Sequence, residues 1–503
     1  MVTIHPRRAA CAIAFLSVSA ATAHFSFPDR VPVDRLVRNA SAHVAEHPDD
    51  GHGYYVLGRI HALAFVLASD SLAVWRERGG AGTLPELAAD NFQAGSGLFG
   101  REPPPPAPDR GKLRAHLESA IVSYERALGL SSQAEAAQVS GWGVERGEGS
   151  AKIHLALGYV LERGSVLAGE ADVLPDAAVS EPGPSARAEI LVLVQRLGSD
   201  RRSVRDEAGD EIRGRLTEAA KILHECRDAE DERVRGAVRS HLAAYWRERA
   251  IVHYREAWER AVADDLSVEQ QPYFGLTELV SYEAGIGYIA LVRARGAADS
   301  AESERLMHVE RSIDGLESKP PNGIVTPIIF SMDAAAPLRR LLAPGRAVCF
   351  DLDGDGDSES WPWVAPGTMI LVWDPDGTGQ ITSGRQLFGS VTWWLFPRDG
   401  YHALDLLDDN RDGELTGAEL AGIAVWSDRD GDGVSDPGEV IPASGAGVTA
   451  LGAHAPSTHD GCPANPWGIE LADGRVLPTY DWITGPAAGS AEPAPCAARL
   501  ASR

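Results

Sequence analysis

The chain has little cysteine, little methionine and no apolar run long enough for a membrane span. Five cysteines in 503 residues do not make a disulfide framework, and without a C-x-x-C pair they give neither a thioredoxin-like redox motif nor a zinc ribbon. No stretch reaches the roughly 18 consecutive apolar residues of a transmembrane helix, so no membrane span is expected. H-E-x-x-H, G-x-S-x-G and P-loop motifs are missing, as is a G-x-G-x-x-G unit between a strand and a helix. The reading is of a protein that is not an enzyme. Basic residues are thin in the C-terminal part. Between Asp351 and Val440 there are 19 Asp and Glu against 4 Arg and no Lys, a local balance of −15 within a whole-chain charge of −25. Such a surface argues against nucleic acid or an anionic membrane as the main partner and for bound cations.

What is present begins with "MVTIHPRRAACAIAFLSVSAATA". Arg7 and Arg8 form a basic flank, Ala9 to Ala20 a short apolar run, and Ala21-Thr22-Ala23 a small-residue cleavage site, so residues 1–23 read as a secretory signal peptide. The mature chain is expected to be exported, periplasmic or extracellular. Export permits disulfides. Of the four remaining cysteines, Cys462 and Cys496 share a Gly/Pro-rich tail and are the pair that could bridge. Cys226 and Cys349 lie in apolar contexts and read as buried thiols.

Residues 24–175 carry helical patterns. In 33–67, Leu36, Ala40, His43 and Val44 recur at helical spacing, "HPDD" breaks the pattern, and Tyr55, Leu57, Gly58, Ile60, His61 and Ala64 resume it. Residues 113–130, 151–163 and 247–262 repeat the style. These stretches resemble tetratricopeptide repeats, paired antiparallel helices rich in Ala, Gly and Tyr, with irregular spacing between units. Between them, "LGSDRRSVRDEA" and "CRDAEDERVRGAV" echo each other. An Asp-containing turn followed by Val-Arg resembles HEAT-type repeats, which bury a core only by stacking on neighbours. The division expected is tetratricopeptide-like helices at 24–175, a HEAT-like repeat at 185–245, further tetratricopeptide-like helices at 246–300 and a linker at 301–345. Such repeats imply a protein or peptide partner.

At about residue 324 the pattern changes to strands, and eight of the twelve Trp lie from Trp361 onward. Here the acidic residues fall into register. An EF-hand loop supplies calcium with oxygens from positions 1, 3, 5, 7 (a backbone carbonyl), 9 and 12, with Gly at 6 for the turn. "DDNRDGELTGAE" meets each requirement with Asp408, Asn410, Asp412, the carbonyl of Glu414, Thr416 and Glu419. "DRDGDGVSDPGE" does so with Asp428, Asp430, Asp432, the carbonyl of Val434, Asp436 and Glu439. Two weaker copies precede them. "DLDGDGDSESWP" offers Asp351, Asp353, Asp355, the carbonyl of Asp357 and Glu359, but Pro362 stands at position 12. "DPDGTGQITSGR" offers Asp374, Asp376, Thr378, the carbonyl of Gln380 and Thr382, but Arg385 stands at position 12, with Gln386 beside it. Packing this many carboxylates together is repulsive unless a cation offsets it.

Residues 346–445 resemble the EF-hand-type calcium domain of exported bacterial proteins, in which Asp loops bracket a "G-R-x-L-F-G" segment. The resemblance implies calcium as the bound ion. The fold expected is multidomain: an all-α helical repeat region followed by a small α+β EF-hand-like calcium-binding domain. A β-hairpin turning at Asp473-Gly474 and a Pro/Gly-rich tail would complete the chain over 446–503. Only a short helix, Ala418 to Ala424, fits between the last two loops, so calcium is expected to be structural rather than a switch. Two alternatives stand beside this reading: a dockerin-like module carried on helical cargo, and a secreted hydrolase.

Overall fold

The computed structural model describes residues 30–73, 109–136, 148–175, 179–267, 273–274, 280–317, 323–333, 335–356 and 358–485. The expected signal peptide and Cys496 lie outside the described residues. A helical region comes first and an antiparallel β region second.

The helical region contains α1 (Val33–Glu46), α2 (Gly51–Leu67), α3 (Arg110–Ala136), α4 (Glu148–Gly164), α5 (Pro184–Arg196), α6 (Arg202–Arg213), α7 (Leu216–Glu225), α8 (Glu232–Ser267), α9 (Val280–Arg295) and α10 (Ser300–Glu317). The break between α1 and α2 falls at "HPDD", where Asp50 caps α2 by accepting from the His52 amide at 3.0 Å. Two helix pairs are built alike. In the first, α2 packs on α3: a Cβ at Gly58 would come within 2.7 Å of the Tyr124 ring, and His61 Nδ1 lies 2.8 Å from His116 Nδ1. In the second, α4 packs on α8: a Cβ at Gly158 would come within 2.7 Å of the Tyr254 ring, and His154 Nδ1 lies 2.8 Å from His253 Nδ1. A glycine lets an aromatic face press on the opposing helix backbone, and each histidine pair shares a hydrogen bond between its own two rings. Burial holds His61, His154 and His253 below the ordinary imidazole value.

The second pair is interrupted in sequence by α5–α7. The echoed turns within that insertion are geometrically equivalent. Arg205 donates to the Ser199 and Asp200 carbonyls, and Arg235 donates to the Ala229 and Glu230 carbonyls at the same offsets. Arg233 crosses from one turn to Asp200 in the other at 2.7 Å. The expected division at 245/246 does not exist, because α8 runs unbroken through it. No Gly or Pro interrupts "RSHLAAYWRERAIVHY", so nothing stops the helix.

The linker expected at 301–345 is also corrected. Most of α10 lies there and packs on α9, and strand Ile328–Ser331 is buried in the middle of the main sheet. Its run of Ile, Ile and Phe is continuous rather than alternating because both faces are covered. The main sheet is antiparallel, in the order Val440–Pro442, Ile423–Trp426, Thr368–Trp373, Ile328–Ser331, Val476–Asp481, Cys462–Leu471, Val448–Gly452, Glu414–Thr416, with Ser457–His459 also pairing Cys462–Leu471. The hairpin at Asp473-Gly474 is formed, with Gly474 at φ 83°. Its strands are interior members of this sheet and not a separate tail.

The expected helix at 418–424 is absent. Gly417–Leu420 makes a single 3-10 turn and Ile423–Trp426 is a strand. Ile423, Val425 and Trp426 suit a sheet buried on both faces better than a short helix. Among the described residues from 323 onward the one α-helix is α11 (Gly400–Asp405), and those residues show no helix–loop–helix frame of an EF-hand around these loops.

The cysteines depart from expectation as well. Cys349 is disulfide-bonded and exposed, on the outward face of strand Leu342–Phe350. Cys462 is free and buried, its Sγ accepting from the Ile483 amide at 3.4 Å, so it forms no bridge with Cys496.

Candidate metal centre

The four Asp loops fall at turns of the β region. The first is the tip of a hairpin between Leu342–Phe350 and Glu359–Val364. The second leaves Thr368–Trp373, the third follows α11, and the fourth joins Ile423–Trp426 to Val440–Pro442.

The third and fourth loops share one internal scaffold. Asp408, 1% exposed, accepts from the Arg411 amide at 2.7 Å and the Gly413 amide at 2.8 Å. Asp428, also 1% exposed, accepts from Gly431 at 2.6 Å and Gly433 at 2.9 Å. Gly413 and Gly433 take φ of 87° and 77°, which explains glycine at position 6. The closing glutamates are buried and turn inward. Glu419 accepts from the Asp409, Asn410 and Thr416 amides at 2.9, 3.1 and 2.9 Å. Glu439 accepts from Arg429 and Asp436 at 2.8 and 3.1 Å. Asp412 and Asp432 each accept the amide two residues on. Asn410 bonds Asp412 at 2.8 Å. The carboxylates of Asp428, Asp430 and Asp432 converge, with one oxygen from each lying within 4.8 Å of the others.

Asp351, Asp353 and Asp355 of the first loop converge in the same way. Burial first, then the neighbouring Asp355 charge, raises the Asp351 carboxyl to about 6 and Asp353 well above the carboxylate range. Asp353 is 1% exposed and its Oδ1 has no hydrogen-bond partner among the described residues. Glu359 opens the second strand of the hairpin, its Oε2 accepting from Trp361 Nε1 at 3.4 Å while its charge adds to the burden on Asp353, and Asp357 lies outside the described residues.

The second loop is satisfied by its own atoms. Asp374 accepts from the Thr378 and Gly379 amides and from the Thr378 hydroxyl. Gln386 Oε1 accepts from the Thr382 amide at 2.9 Å, the contact Glu419 and Glu439 make in their loops, while its Nε2 donates to the Gln380 carbonyl at 2.9 Å. That carbonyl is the oxygen expected at position 7, and an amide in place of a carboxylate supplies no charge to close a cation shell. Asp376 is exposed.

The loops are tied to one another. The Ile381 amide donates to Ser435 Oγ at 2.8 Å, joining position 8 of the second loop to position 8 of the fourth. The Gly384 amide donates to the Asp351 carbonyl at 2.6 Å, and a Cβ at Gly384 would collide with the Leu352 carbonyl. Arg346 donates to the Asp430 carbonyl. Beneath them Phe350, Trp363 and Trp426 pack with ring centroids 5.6 to 5.7 Å apart, and Trp363 Nε1 donates to Asp428 at 2.6 Å. The sequence reading singled out neither Trp363 nor this contact, since nothing local marks a tryptophan 65 residues away as a partner of the loop.

The helical region docks on the third loop. Asp409 Oδ1 accepts from Arg35 Nε at 3.1 Å, Arg38 Nη2 at 2.6 Å and Asn39 Nδ2 at 2.9 Å. His43 lies between Asp405 and Asp50 at 2.9 and 3.0 Å. Phe396 sits under Arg59 and Lys152, at 4.4 and 4.2 Å from its centroid.

Burial disfavours a charge on His43, but the two carboxylates outweigh it and raise the group from 6.5 to about 9. Burial first, then the His43 and Arg398 charges, lowers His402 to about 3, and burial with Arg398 holds His52 well below 6.5. The two signs oppose. The His43 contribution is complete below 6.5 and is lost as pH rises through about 9. Those of His402 and His52 are present above 6.5 and are lost as pH falls. Urea unfolding across pH is expected to show the contribution of these histidines greatest near pH 6.5, and His43→Gln is expected to reduce the alkaline decline, to which the buried carboxyls of Asp353 and Asp481 add. A flat alkaline limb in the unmodified chain would contradict this.

A family model described as the SPM domain matches residues 340–465. The iron-regulated protein FrpA of Neisseria meningitidis serogroup C is 34% identical over 107 residues, covering 20% of this chain and 10% of that protein. The chain therefore spans about a tenth of that curated relative's length. No helix among the described residues is long and apolar enough to cross a membrane.

Proposed function

We propose that this is an exported calcium-binding protein in which calcium is mainly structural and the helical region serves as a scaffold for a protein or peptide. The observation that carries the proposal is the convergence of carboxylates in Asp351/Asp353/Asp355 and Asp428/Asp430/Asp432, of which Asp351, Asp353 and Asp428 are buried, with Asp353 Oδ1 unpartnered among the described residues. Oxygen-only, carboxylate-rich donor sets suit a hard divalent cation. Asp408, Asn410, Asp412, Thr416, Glu419 and the Glu414 carbonyl would hold one ion. Asp428, Asp430, Asp432, Asp436, Glu439 and the Val434 carbonyl would hold another, and the first Asp cluster a third. The second loop, with Gln386 bonded to its position-7 carbonyl, is the poorest candidate. Weak extracellular-type sites, of about 10⁻⁴ to 10⁻³ M, fill at the calcium levels outside cells. Repeated Gly-against-Tyr helix pairs support the scaffold reading of the helical region.

Calorimetric titration of the mature chain tests this. Two or three calcium sites are expected, with one lost in Glu419→Gln and a different one in Glu439→Gln. Absence of calcium uptake would overturn the reading.

A further inference from the structure

We infer that the 408–419 loop is the latch that holds the helical region on the β region, so that calcium at this loop and docking of α1 stabilise each other. The inference rests on the calcium reading above and goes beyond it, because a purely local structural site would leave α1 indifferent to the ion.

The loop has two side chains that are not ligand candidates and that face α1. Asp409, at position 2, has its amide on the closing carboxylate of Glu419 at 2.9 Å and its own carboxylate on Arg35, Arg38 and Asn39 of α1. Arg411, at position 4, has its amide on Asp408 at 2.7 Å and its guanidinium on Asp405 at 2.6 Å and on Glu46, the last residue of α1, at 3.0 Å. In both residues the backbone belongs to the ligand scaffold and the side chain to the helical interface. Arg35 and Asn39 also reach the Leu407 and Leu406 carbonyls at the loop's entry, at 2.8 and 2.9 Å. Arg411 takes a left-handed φ of 61°, a conformation that an arginine adopts only when its surroundings fix it. Asp408 and Glu419 provide that constraint from one side and Asp405 with Glu46 from the other.

Without a cation, nothing ties the side chains of Asp408, Asp412 and Glu419 to one another, and the backbone they shape loosens. Asp409 and Arg411 then lose the positions at which α1 meets them. Coupling of this kind is reciprocal: whatever calcium adds to docking, docking adds to calcium affinity.

The test is calcium titration of the full chain carrying Arg35→Ala and Arg38→Ala, reading the step that Glu419→Gln removes. The latch predicts about tenfold weaker calcium binding at that step. Simple electrostatics predicts the opposite, since deleting two cations beside an acidic site should tighten it. Hydrogen exchange of the unmodified chain supplies a second reading that needs no variant: amides of residues 33–46 should exchange faster in chelator than in calcium. Equal or tighter calcium binding in the double variant, with α1 exchange unaffected by chelation, overturns the latch. Failure of the unmodified chain to bind calcium would overturn the calcium reading itself, and its own titration separates that result from loss of coupling.

Discussion

Chelating calcium is expected to lower the melting temperature of the β region by roughly 15–30 °C. An ion that binds only the native state adds about 2.7 kcal/mol at a hundredfold excess over its dissociation constant. Three such sites would contribute roughly 8 kcal/mol, comparable to the whole stability of an ordinary domain, and each kcal/mol moves the melting point of a domain this size by about 2–4 °C. The effect is expected to be large because the loops are not peripheral. The fourth is hydrogen-bonded to Trp363 in the aromatic core, and part of the third, Glu414–Thr416, is the edge strand of the main sheet. Scanning calorimetry in calcium and in chelator checks this. Unchanged melting would mean that the ion, if bound, contributes nothing to the fold.

Asp353→Asn is expected to change sign with calcium. With the ion present, replacing this carboxylate removes a charged ligand, and the first loop should bind more weakly, destabilising the protein by about 1–3 kcal/mol. In chelator the same carboxyl is almost fully buried and faces Asp351 and Asp355. Burial, then the charges of Asp355, Glu359 and Asp351, disfavour its charged form, and an amide of the same shape lifts the penalty of a buried acid. The variant should then melt at the same temperature as the parent or higher. Destabilisation of equal size under both conditions would show that Asp353 acts only through packing or hydrogen bonding.

These loops were legible in the sequence because their chemistry is local. Six oxygen donors and a glycine fall within twelve consecutive residues, and the turn that gathers them is made by its own amides. The third and fourth loops follow that register down to the inward-turned Glu419 and Glu439. The helices of the N-terminal region were legible for the same reason, since a 3.6-residue period and the "HPDD" break are written in adjacent residues. The echo of Val-Arg after an acidic turn became two arginines in equivalent roles, Arg205 and Arg235.

What went astray depended on distance in the chain. Residues 301–345 read as a linker because "IVTPIIF" does not show that Ile328–Ser331 lies between Thr368–Trp373 and Val476–Asp481. The 418–424 stretch read as a helix because an EF-hand frame was assumed, whereas pairing of Ile423–Trp426 with Thr368–Trp373 makes it a strand. Cys462 read as a bridging partner from its neighbours, yet its strand buries it as a free thiol.

By itself, then, the sequence determined the helical character of the first part, the position of each Asp loop and the local excess of acidic residues around them. Only the tertiary structure decided that the loops share one β scaffold in place of EF-hand helices, that Gln386 bonds the carbonyl of the second loop, and that α1 closes on Asp409 and Arg411. The physical reason is that ligand chemistry within a turn is set over a dozen residues, whereas strand pairing and docking are set by contacts between segments hundreds of residues apart, whose register no local pattern encodes.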